Sequence, residues 1–144
     1  MFGDIHPNCL RVIFGGFLVH LILGTLYLWS VITPAVTAYL RGWDPSLTYH
    51  DTLIVYSSSL AVQGVFMLIG GEIEVRSGPR FTVAVGAAIL VFGVFAASLC
   101  TTLHAMIVFY GLFFGIGMGI VYTAPISAGL RWLPDRKGLI TGCT

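Results

Sequence analysis

The sequence has 144 residues, of which 57% are hydrophobic and only 9% are charged, and its net charge is +1. A soluble domain carries about 25% charged residues, so a water-soluble fold of this composition could not cover its surface. The small net charge provides no field that would attract nucleic acid, and we expect lipid to be the main partner of the surface.

Charged residues divide the chain into uncharged runs at 12–40, 52–71 and 81–130. A helix needs about 20 apolar residues to cross the hydrocarbon core, so the first two runs predict one span each. The third run predicts two spans with a turn at its polar patch, Cys100–His104. The predicted spans are 12–38, 52–71, 81–99 and 104–128, with the start of a fifth at 138–144. The predicted fold class is therefore all-α, a polytopic transmembrane helix bundle with four complete spans.

Basic residues concentrate at alternate ends of these spans. One side carries Arg11, Arg76, Arg80, Arg131, Arg136 and Lys137, whereas the other side carries Arg41. Because Lys and Arg are enriched in cytoplasmic loops, the pattern predicts a multi-pass protein with a cytoplasmic N-terminus. We place it in the plasma membrane, with an organelle membrane as the alternative.

No Asp, Glu, Lys or Arg lies within the four predicted complete spans. Such residues cost about 2.5–3.5 kcal/mol at the bilayer centre and usually mark a site. The uncharged polar residues Tyr27, Gln63 and Tyr122 are candidates to line a polar cavity, and they are equally consistent with helix packing and an interhelical hydrogen bond. His20 is interpreted as a packing or hydrogen-bonding residue rather than a proton relay, because the spans offer it no acidic partner.

Glycines recur every four residues along the fourth predicted span, at Gly111, Gly115 and Gly119. This is the small-xxx-small pattern of closely packed membrane helices. The three cysteines are odd in number and widely spaced, which argues against a disulfide framework or a metal site. No constellation of nucleophile and base has suitable spacing, so we expect no enzyme activity and no cofactor.

The segment between the second and third spans carries a distinctive pattern, with Gly71, Glu74, Arg76, Gly78 and Arg80 at fixed spacings. It resembles the signature loop of the major facilitator superfamily, G-x-x-x-D-R-x-G-R-R. More narrowly, it is similar to the G-G-x-x-x-D-[RK]-x-G-P-R form of the oxalate/formate antiporter and monocarboxylate-transporter-like branches.

Three further stretches fit the same branch in order and spacing. They are Gly24–Trp29 followed by Pro34, Gly115–Tyr122, and Trp132–Leu139. One residue departs from the pattern, because the signature Asp falls on Val75 and the acidic Glu74 comes one residue early. The resemblance implies that the loop takes part in conformational change, and the departure places that role in question unless Glu74 substitutes.

The resemblance also implies a fold and a function. Such transporters have twelve spans in two halves, with the substrate site between the halves. This chain would be part of the N-terminal half, its missing partner would be the C-terminal half, and Tyr27, Gln63 and Tyr122 match cavity positions. The implied function is alternating-access transport of small organic anions such as oxalate, formate or lactate. The alternative is a small oligomerising or scaffolding membrane protein without transport activity.

Overall fold

The computed structural model describes residues 7–132, together with Gly138 and Gly142. Residues 7–132 contain four helices that are long and apolar enough to cross a membrane, and no strand. They are Arg11–Arg41, Tyr49–Ser77, Pro79–Ser98 and Leu103–Arg131, called spans 1 to 4 below. The predicted all-α multi-span fold is confirmed. The start of a fifth span, predicted at 138–144, and the motif portion 133–137 lie outside the described residues except for the two glycines.

Span 1 changes helix type along its length. An α-helix at Pro7–Leu23 is followed by a 3-10 segment at Gly24–Leu28 and a second α-helix at Trp29–Arg41. A 3-10 helix winds more tightly than an α-helix, so the side chains after Leu23 are rotated relative to those before it.

Spans 2 and 3 form a helical hairpin with defined ends. Thr48 precedes the first residue of span 2 and exchanges hydrogen bonds with Asp51, whose Oδ2 accepts from the Thr48 backbone at 2.8 Å. At the other end, Gly78 adopts φ 82 and Pro79 begins the next helix. Glycine is favoured at such a φ because it lacks a Cβ, and proline suits the first helical turn.

Span 4 combines three helix types: an α-turn at Leu103–Met106, a π-helical segment at Ile107–Phe114 and an α-helix at Gly115–Trp132. In the π segment, the Ser59 hydroxyl of span 2 donates to the Tyr110 carbonyl at 2.9 Å. A hydroxyl from a neighbouring helix thus reaches the backbone of the widened segment, as is common where helices depart from α geometry in lipid.

Span 4 is the centre of the bundle and packs most extensively against spans 2 and 3. Span 1 joins it through a buried apolar cluster formed by Leu23, Leu26, Phe114, Met118 and Val121. Spans 1 and 2 are further linked by a buried hydrogen bond of 2.7 Å between the hydroxyls of Thr37 and Thr52. A bundle in lipid depends on such packing and hydrogen bonds because no hydrophobic force drives its helices together.

The glycine-rich face of span 4 lies against span 2. A Cβ at Gly115 would come within 2.8 Å of the Ser59 carbonyl oxygen, and one at Gly119 within 2.7 Å of the Gln63 carbonyl oxygen. Gly111 meets the Ser58 side chain in the same row. These distances are shorter than van der Waals contact, so the two backbones approach as closely as they do because no side chain stands between them.

Candidate functional site

The structure places the three candidate cavity residues in different environments. Tyr27 is 61% exposed in the 3-10 segment of span 1. Gln63 is buried within the bundle, and its side-chain oxygen has no hydrogen-bond partner. Tyr122 is half-buried on span 4, with its ring 5.2 Å from that of His20. Among the described residues, no hydrogen bond, ion pair or ring contact joins Tyr27, Gln63 and Tyr122 to one another.

His20 is held by its own helix and by span 4. Its Nδ1 lies 3.1 Å from the Gly16 carbonyl oxygen, and the Tyr122 ring meets the imidazole edge to face at 70°. A carbonyl can only accept, so Nδ1 carries a proton, and in the neutral ring Nε2 then carries the lone pair. Nε2 is buried and has no hydrogen-bond partner. The side chain therefore presents an unsatisfied acceptor inside the bundle.

An aromatic stack connects the start of the second α-helix of span 1 with the π segment of span 4. The Trp29 ring lies 4.7 Å from that of Tyr110, which stacks on Phe114 at 4.5 Å. The indole Nε1 of Trp29 is buried without a partner. Sequence reasoning noted Trp29 only as part of a motif and did not single out Tyr110, since an uncharged run gives no sign of where a helix widens.

A cavity of about 660 Å³ lies between spans 1, 3 and 4 at the end of the bundle where the second and third spans are joined. Its walls are formed mainly by small and apolar residues, including Gly16, Val19, Val83 and Pro125. Arg11 and Arg80 also line it. The signature-loop residue Arg80 thus adds positive charge to an otherwise apolar opening.

The signature loop carries two ion pairs of different character. Arg76 donates to Glu72 on the surface, with Nη2 2.7 Å from Oε1. Glu74 is only 3% exposed, and its Oε1 lies 3.4 Å from Nη2 of Arg131 at the end of span 4. The same Oε1 makes no hydrogen bond, so the contact between Glu74 and Arg131 is electrostatic.

The departure from the signature pattern has a structural counterpart. Val75, at the position of the signature Asp, is 73% exposed. Glu74 faces inward instead, next to the site where Gly70 packs against the span 4 backbone at Ile120. A Cβ at Gly71 would meet nothing within 4 Å, so close packing gives no reason for glycine there. The inward acid of this loop is therefore Glu74.

Comparison with known proteins gives a consistent set of relatives, although no protein-family model matches the sequence. The chain is 30% identical to Apicoplast pyruvate carrier 1 of Toxoplasma gondii, over 90% of this chain and 30% of the carrier. It is 29% identical to the Oxalate:formate antiporter of Oxalobacter formigenes, over 85% and 32%. A probable nitrate/nitrite transporter of Mycobacterium tuberculosis is 27% identical, over 79% and 29%.

Several further relatives bear the name MFS-type transporter. The chain spans only part of the length of these curated relatives, from 22% of one MFS-type transporter to 30% of the pyruvate carrier and 32% of the antiporter. The similarity covers most of this chain, 90% in the case of the pyruvate carrier and 85% in the case of the antiporter.

Proposed function

We propose that this chain, which is related to transporters of the major facilitator superfamily, supplies part of the helix bundle of a transporter for small oxyanions. Monocarboxylates and dicarboxylates such as pyruvate, oxalate, formate or lactate are the proposed substrates. The observation that carries the proposal is chemical: the relatives are named for pyruvate, oxalate, formate, nitrate and nitrite. Carboxylates, nitrate and nitrite all delocalise negative charge over oxygen atoms.

The charge distribution supports a shared substrate site. In the described spans, charged side chains occur only near the helix ends, as with Arg11, Arg41, Glu74 and Arg131. A carboxylate that leaves water needs a compensating positive charge. We therefore propose that a second set of helices completes the site and contributes cationic side chains, as alternating access between two halves requires. Tyr122, Gln63 and Tyr27 would shape this chain's side of the cavity.

The signature loop is proposed to act during the conformational change. Gly78 sets the turn, Arg76 pairs with Glu72, and Glu74 holds the end of span 2 against Arg131 of span 4. In this proposal, Glu74 has the role in the conformational change that the resemblance assigns to the signature Asp.

The test is uptake of labelled pyruvate into proteoliposomes that contain the protein expressed from its complete coding sequence. We expect saturable uptake that unlabelled oxalate, formate or nitrate inhibits and that a neutral sugar does not. Tyr122→Phe should lower uptake several-fold, because a hydrogen-bonding hydroxyl is lost, while the exposed control Tyr39→Phe should leave it unchanged. Uptake restricted to sugars or cations would overturn the anion assignment. A stable oligomer without any uptake would favour the scaffolding alternative.

We also propose that the N-terminus and the signature loop face the cytoplasm, as the distribution of basic residues suggests. In a cysteine-free background on intact cells, an impermeant maleimide should label Pro45→Cys between spans 1 and 2, but not Ser77→Cys. Both positions are exposed. The native Cys100 is a poor reporter, because it is buried and burial raises the pKa of its thiol. Labelling of Ser77→Cys alone would reverse the proposed orientation.

A further inference from the structure

We propose that His20 is a substrate-pairing residue of this transporter, which binds a proton at Nε2 and the oxyanion of the substrate together. The inference rests on the proposed function. It deepens that function by naming one group that recognises the anion and by naming a proton as the ion that is transported with it. A proton from solution adds to the Nε2 lone pair to give an imidazolium, and no bond of the substrate breaks. Release of the anion on the other side returns the proton to solution.

The hydrogen-bond arrangement leaves Nε2 as the available group. Nδ1 donates to the Gly16 carbonyl at 3.1 Å, which fixes the tautomer of the neutral ring. Nε2 is buried and lacks a partner, and a buried acceptor in that state is costly. A proton on Nε2 makes it a donor, and a carboxylate oxygen then satisfies that donor. The proton therefore gives Nε2 a hydrogen to donate, and the anion accepts it, so both ligands bind at the same atom.

The charged residues on span 1 and on spans 3 and 4 favour cooperative binding of the proton and the anion. Its own helix carries Arg11 nine residues away, span 4 carries Tyr122 in ring contact and Arg131, and span 3 carries Arg80. The described parts of spans 1, 3 and 4 contain no Asp or Glu. Glu74 of span 2 is paired with Arg131, so these spans offer an imidazolium at position 20 no acidic partner of their own, and the substrate anion takes that place. By linkage, each of the two ligands then raises the affinity for the other.

Access to Nε2 requires movement. The atom is enclosed in this conformation, and the ring in contact with the imidazole is that of Tyr122. Both side chains are only half-buried, so a change in the packing of span 1 against span 4 would uncover Nε2. In this proposal, movement of Tyr122 away from His20 exposes Nε2, and this role is in addition to the proposed place of Tyr122 in the cavity.

The experiment uses proteoliposomes containing the complete protein, loaded with a pH-sensitive dye and exposed to labelled pyruvate at external pH 5.5, 6.5 and 7.5. We expect wild-type uptake to fall about tenfold over this range and to acidify the interior. His20→Gln keeps a polar side chain that cannot titrate, and its residual uptake should be independent of pH and without acidification. The matched control His104→Gln changes an exposed histidine at the start of span 4 and should behave like the wild type.

A second measurement uses the wild-type protein, so that the inference does not depend on the folding of a variant. The ¹⁵N resonances of His20 should change from the neutral tautomer to imidazolium when saturating pyruvate is added at pH 7. A ring that stays neutral, or pH-dependent acidifying uptake by His20→Gln, overturns the assignment. Pyruvate uptake that is independent of pH in the wild type overturns proton coupling but preserves the proposed transport function. Absence of anion uptake from every variant, including the wild type, rejects the transport function itself.

Discussion

Gly115→Leu and Gly119→Leu are expected to abolish most of the folded, monodisperse protein in detergent. At both positions, a Cβ would lie within 2.8 Å of a span 2 backbone carbonyl, and these carbonyls belong to Ser59 and Gln63. A flexible side chain could move away, but helix backbone cannot do so without separating the two spans. Overpacking typically costs about 1–3 kcal/mol and occasionally more, and we expect the upper end because little hydrophobic force restores the contact in lipid.

The control is Gly64→Leu, which adds the same side chain to span 2 at an exposed site where a Cβ would meet nothing within 4 Å. It should leave the yield unchanged and the thermal stability unchanged or slightly higher, because the site is open and leucine forms helix better than glycine. Size-exclusion profiles and thermal unfolding of all three variants test whether the close approach of spans 2 and 4 stabilises the protein. Equal behaviour of Gly64→Leu and Gly115→Leu would show that the close approach of spans 2 and 4 contributes little to stability.

The transmembrane fold could be predicted because charge is so costly in hydrocarbon that the uncharged runs define the spans. The orientations of the side chains around each helix were less predictable than the spans. Spacing on an ideal helix puts Tyr27 on the same face as His20, since seven residues make nearly two turns. The 3-10 segment Gly24–Leu28 adds about 20° per residue to that rotation, which turns Tyr27 by roughly 80° toward the surface.

The helix types themselves were also beyond sequence reasoning. Ile107–Phe114 is an uninterrupted apolar run in which nothing distinguishes π from α geometry. The widened form is accompanied by contacts from distant residues, namely the Ser59 hydroxyl on the Tyr110 carbonyl and the Trp29 ring on that of Tyr110. Likewise, Glu74 and Val75 are neighbours in sequence, and the rotation that buries the acid is fixed where Gly70 packs on Ile120. Such determinants are long-range, so a local pattern does not contain them.

Loss of Arg131 should destabilise the bundle much more than loss of Arg76, although the Arg76 ion pair is shorter. The Arg76–Glu72 distance is 2.7 Å and the Arg131–Glu74 distance is 3.4 Å. Both side chains of the shorter pair are exposed, at 76% and 62%, and such a pair on one helix contributes only about 0.3–0.5 kcal/mol. Glu74 is 3% exposed, so without Arg131 its carboxylate would remain buried and uncompensated.

We expect Arg131→Gln to lower the free energy of unfolding by about 2–3 kcal/mol. This is less than the roughly 3–5 kcal/mol of a fully buried pair, because the Arg131 side chain is 56% exposed and water screens part of its attraction. Arg76→Gln should cost no more than about 0.5 kcal/mol. Reversible unfolding in mixed detergent micelles, monitored by circular dichroism, provides the comparison.

The double variant Glu74→Gln/Arg131→Gln separates the charge effect from the loss of a side chain. Replacing both charged groups removes the buried carboxylate as well as its partner, so the double variant should be more stable than Arg131→Gln alone. In a double-mutant cycle, this appears as a coupling energy of about 1–3 kcal/mol, against a value near zero for the Glu72 and Arg76 pair. If the double variant is as unstable as Arg131→Gln, Arg131 acts through packing at the end of span 4, and Glu74 does not hold spans 2 and 4 together.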